Sequence, residues 1–106
     1  MVLSTTDKIP NKEISEILGI ARGSTVRARS VGRDFFAGIK NLVGGEISEY
    51  TQLQAESREQ ALDRMQKDGE RMGVDAIINI RLTTSMVMQG CSEILAYGTA
   101  VKLGND

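Results

Sequence analysis

The chain has 106 residues, of which 41% are hydrophobic and 25% charged, with a net charge of −1. That length holds one domain, 1–106, because a second core would need roughly 50 residues of its own; the near-neutral charge gives no general pull toward nucleic acid or a membrane surface. Histidine and tryptophan are absent and Cys91 is the single cysteine, which removes the commonest general base, the usual zinc sites and any intrachain disulfide.

In chain order, Val2 to Thr5 reads as a short strand, and Pro10-Asn11 as the turn after it. No secretory signal pattern opens the chain and no apolar run approaches the ~18 residues of a membrane span, so a cytoplasmic location is expected. From Glu13 to Val31 a long strand is predicted, with Ile14, Leu18, Ile20, Val26 and Ala28 on one face and Gly19 and Gly23 as bulges or bends. The spacing of Phe35, Phe36, Ile39, Leu42 and Val43 behind Asp34 predicts a short amphipathic helix, ended by Gly44-Gly45. A second helix is expected from Glu46 to Met72, with Ile47, Tyr50, Leu53, Ala61, Leu62, Met65 and Met72 on its apolar stripe and Asp63–Lys67 as an i,i+4 ion pair. At about 27 residues and 1.5 Å each it spans ~40 Å, longer than such a domain is wide, so part of it should project or meet a neighbouring subunit.

Gly73 ends that helix, and Ala76 to Met88 then reads as a strand with Ile78, Ile80, Leu82, Met86 and Met88 on one face. Gln89-Gly90-Cys91-Ser92 makes a hairpin turn into a final alternating strand through Leu103. The expected class is α+β: an antiparallel or mixed sheet covered on one face by a short and a long helix.

Four segments, Arg33-Asp34-Phe35-Phe36-Ala37-Gly38-Ile39, Val43-Gly44-Gly45, Met72-Gly73-Val74-Asp75-Ala76 and Tyr97-Gly98-Thr99-Ala100-Val101, occur in order across nearly the whole chain, and together they resemble the YbjQ family. That family comprises small bacterial and archaeal proteins called heavy-metal-binding. The resemblance implies a β-α-β-β subunit related to the dodecin-like folds, a ring-shaped homopentamer and no established biochemical activity. The Cys-x-x-Cys loop of small metal carriers is missing from this sequence.

Metal binding would fall to Cys91, near the thioethers of Met86 and Met88, with a ring able to bring several copies of the thiol together. Arg22, Arg27, Arg29, Arg33 and Lys40 face one acid, Asp34, in the segment 20–40. Of these, Arg27, Arg29 and Arg33 are the candidates for binding a small anion, the alternative being pairing with acids such as Glu46 and Glu49. Phe35, Phe36, Ile39 and Tyr50 are the candidate subunit-interface anchors. The Gly98-Thr99-Ala100 stretch fits close packing against a helix or close approach to a small ligand. No nucleophile-and-base pair, paired-carboxylate motif or P-loop stands out, so no catalytic residue and no enzyme activity are expected, and no cofactor is indicated. RNA-recognition motifs and interleaved aromatics are lacking, so the expected partner is a second copy of the chain rather than nucleic acid or membrane, with a metal or small ligand as the rival reading.

Overall fold

The structure is a computed structural model. It describes residues 1–28, 42–43 and 46–104, with side chains for 1–27 and 53–104. The elements are β1 (Val2–Leu3), β2 (Glu13–Ala28), β3 (Leu42–Val43), β4 (Glu46–Ile47), α1 (Ser48–Met72), β5 (Ala76–Met88) and β6 (Cys91–Gly104). Four strands form a mixed sheet in the order β1-β5-β6-β2, with β1 parallel to β5 and the other pairs antiparallel, while β3 and β4 form a separate two-stranded ladder. The α+β class holds.

The expected short helix lies mostly outside the described residues, but its last two residues do not fit it: Leu42 and Val43 are strand, paired with Ile47 and Glu46. The long helix therefore begins at Ser48, with residues 46–47 spent on that ladder, a two-residue correction at its start. Its end is as expected. Gly73 adopts φ 76°, its N–H donates to the Glu70 carbonyl at 3.0 Å and the Val74 N–H donates to the Gly69 carbonyl at 3.4 Å, the paired bonds of a glycine cap that needs the left-handed conformation.

β5 occupies Ala76–Met88 as predicted, but its apolar residues do not share a face. Asn79, at φ 53°, forms a bulge between Ile78 and Arg81. An extra residue reverses the alternation, so Ile77 and Ile80 join the cluster under α1 with Ala21, Ala61, Met65 and Ala96, whereas Ile78 joins Ala76 and Val101 on the opposite face beneath Ile9. The same happens in β2, where register shifts between Ile14 and Glu16 and between Ile17 and Gly19 turn Ala21 and Thr25 toward the helix. Ile20 and Val26, expected on the same face as Leu18, are instead 61% and 55% exposed, while Leu18 packs against the cluster under the helix.

Helix α1 can lie close on β2 because of Gly23. A Cβ there would stand 2.3 Å from the Met65 nitrogen and 2.6 Å from the Ala61 carbonyl oxygen, so no other residue fits without moving helix backbone. Two side chains from the helix then take up backbone groups of β2: Asp68 accepts from the Arg22 N–H at 3.0 Å, and Arg64 donates to the Ser24 carbonyl. β2 is the edge strand of its sheet, so these contacts occupy part of an otherwise open ladder.

The other edge is treated differently along its length. Up to Ile80 the N-terminal residues shield β5: Ser4 N–H donates to Ile77 O at 2.9 Å, Asn79 N–H to Thr6 O at 2.9 Å and Ile80 N–H to Ser4 O at 3.1 Å. Arg81 extends this tie through its guanidinium, which donates to Thr5 O at 3.0 Å. Beyond it, β5 pairs on one side only among the described residues, and every residue from Arg81 to Gln89 is exposed. The molecule measures 56 × 27 × 16 Å, and its radius of gyration of 17.3 Å exceeds the ~13 Å expected for a compact chain of this length.

Candidate functional site

A cleft of about 310 Å³ opens where the first described turns of α1 pass over the tip of the β5–β6 hairpin. Its floor follows from strand register. Ser92 of β6 pairs with Arg27 of β2 on one side and Met86 of β5 on the other, so all three side chains lie on the face that α1 covers. Leu53, Gln54 and Ser57 close the cleft from the helix, with Ile94 deeper along β6 and Gly90 and Cys91 at the turn. Ser57 is 3% exposed and Ile94 3%, so the inner end is dry.

Arg27 is the charged group of this cleft and is half-buried. Its Nη2 donates to the Gln60 side-chain oxygen at 3.0 Å, and its Nε is enclosed without an acceptor among the described residues. It takes part in neither of the ion pairs Asp63–Lys67 and Asp68–Arg71. A guanidinium carries five donors in a planar fork, and withdrawing it from water without a counter-charge is unfavourable. The arrangement can therefore receive an anion.

Two of the expected site residues, Arg27 and Cys91, meet in this cleft, a juxtaposition the sequence reading did not make. Arg29, Arg33, Phe35, Phe36 and Ile39 lie outside the described residues, and Tyr50 lies on α1 among residues whose side chains are not described. Leu53, Gln54 and Ser57 were missed as lining groups, and Gln60 as the partner of Arg27; the available signal was Ser57, a small polar residue on the otherwise apolar stripe of the helix. Gly98 serves close packing, though against a strand: a Cβ there would meet Ile77 Cγ2 at 2.6 Å and the Ile78 carbonyl at 2.9 Å.

As a metal centre the cleft offers the Cys91 thiol and the Met86 thioether. Among the described residues no three of His, Cys, Asp and Glu converge to hold an ion. Heavy-metal sites of the usual kind take three or four thiolate or imidazole ligands, so the described residues of one subunit do not fit such a group.

Comparison with known proteins covers almost the whole chain. Residues 1–104 match the family model described as "Putative heavy-metal-binding". A UPF0145 protein of Methanosarcina acetivorans is 53% identical, with 99% of both chains covered. One from Archaeoglobus fulgidus is 52% identical, covering 97% of this chain and 95% of the relative, and one from Vibrio campbellii 50%, covering 97% and 99%. Among solved structures, a protein of unknown function of the DUF74 family from Pediococcus pentosaceus matches with a TM-score of 0.67 and 14% identity over 98% of each chain, a likeness of fold alone. No helix among the described residues is long and apolar enough to cross a membrane. With a match from end to end and identities of 50% and more, this chain belongs to the YbjQ family.

Proposed function

We propose that the chain is a non-enzymatic subunit of a closed homo-oligomeric ring, five copies in number, that presents repeated ligand sites. One observation carries this reading: two different apolar surfaces are exposed on one chain. The first is the distal hairpin, where Leu82, Met86, Val87 and Met88 are 42%, 77%, 54% and 66% exposed. The second is the sheet face turned away from α1, where Ile17, Ile20 and Val26 of β2 are 68%, 61% and 55% exposed beside Tyr97 at 38%. Exposed apolar surface of this extent marks an interaction site. A ring with an odd number of subunits needs a heterologous contact between unlike patches. The hairpin of one subunit resting on the outer β2 face of the next supplies one, and the family resemblance implies the number five.

Native mass spectrometry of the purified protein tests this. A pentamer is expected, and a monomer would refute the ring. Val87→Lys and Ile20→Lys should each yield monomers, whereas their equimolar mixture should recover a dimer through the one intact hairpin-to-face contact. A two-fold contact between like patches would instead leave the mixture no more associated than its components.

A further inference from the structure

We infer that the Arg27 cleft is a binding site for a small organic monoanion, a carboxylate carried on a short aliphatic chain. The polar end is built by Arg27, which Gln60 holds from the helix at 3.0 Å. That bond fixes the plane of the guanidinium and leaves its Nε, shut away from solvent, with no acceptor among the described residues. Arg27 lines the cleft, and a carboxylate there would neutralise the charge that the enclosed, unpaired Nε leaves uncompensated. The rest of the wall is mixed: Gln54, Ser57 and Ser92 stand beside an apolar side made by Leu53, Met86 and Ile94, around a volume of about 310 Å³, at the small end of ligand pockets. A bare inorganic anion would satisfy the guanidinium and leave that apolar side in contact with water, which a short aliphatic tail on the anion would cover. All these groups belong to one subunit.

Calorimetric titration of the full chain with sodium hexanoate is the test, with hexanol and inorganic phosphate as comparison probes. Hexanoate is expected to bind at one site per chain, hexanol and phosphate at least tenfold more weakly. Arg27→Gln should weaken hexanoate at least tenfold while leaving hexanol unchanged. Because that variant can fail to fold, a second readout uses the wild type: hexanoate should slow alkylation of Cys91, which lines the mouth of the cleft, several-fold, and phosphate should not. Absence of hexanoate binding with no protection of Cys91 overturns the proposal, as does phosphate or hexanol binding as tightly as hexanoate. Binding to a wild type that native mass spectrometry shows to be monomeric would leave this site standing and remove the ring.

Discussion

The two ends of the β5–β6 hairpin contain similar residues in different circumstances. At the base, Ala76, Ile77, Ile78, Ala100 and Val101 are 0–4% exposed, closed on one face by α1 and on the other by the segment around Ile9. At the tip, Leu82, Met86, Val87 and Met88 belong to the same strand, yet each is at least 42% exposed. The difference lies in what covers them, since the helix lies over β2 and β6 and the N-terminal residues reach no further than Ile80 and Arg81. Hydrophobicity alone thus says where burial is wanted; topology decides whether the subunit itself provides it.

Substitutions can sharpen or break that contrast. The largest effect is expected where helix and sheet touch: Gly23→Val should cost at least ~3 kcal/mol, because the added atoms meet backbone that cannot yield. Urea unfolding monitored by circular dichroism measures it, and a near-neutral result would mean that α1 does not lie where described. Next, Ile77→Ala at the base should cost about 2–5 kcal/mol, the range for emptying a fully buried site. Leu82→Ala at the tip should cost ~1 kcal/mol or less in a monomeric background such as Ile20→Lys. Equal losses at the two positions would erase the distinction between base and tip. Asp68→Ala should cost about 1–2 kcal/mol by orphaning the Arg22 N–H. Smallest is Lys67→Ala: its bond to Asp63 is 3.0 Å long but 71% and 59% exposed on its two sides, so thermal melts should show a change of ~0.5 kcal/mol or less.

The hairpin and the end of the helix were legible because their signals are local. Gly73 after the last apolar turn, and a turn-forming Gln89-Gly90 between alternating runs, need no knowledge of distant partners. Which face each residue occupies was not legible. Nothing in Ile78-Asn79-Ile80 announces that Asn79 takes a left-handed conformation, and one added residue inverts every later assignment. Gly23 suggested a bend and proved to be a seat for the helix, since a glycine's role depends on what approaches it. Arg27 and Cys91 were each nominated, but for separate roles. That they share a cleft rests on the pairing of Ala28 with Cys91 and of Arg27 with Ser92, a contact between strands more than sixty residues apart that periodicity cannot supply.

The contacts of Asp68 and Arg64 with β2 carry a further consequence. A sheet with two bare margins can lengthen without limit, one molecule after another, as in a growing fibril. By engaging the Arg22 N–H and the Ser24 carbonyl, the helix interrupts the middle of the β2 margin, so an incoming strand would find no continuous row of free backbone groups there. The fastening thereby works against edge-to-edge addition on a molecule that carries much apolar strand on its surface.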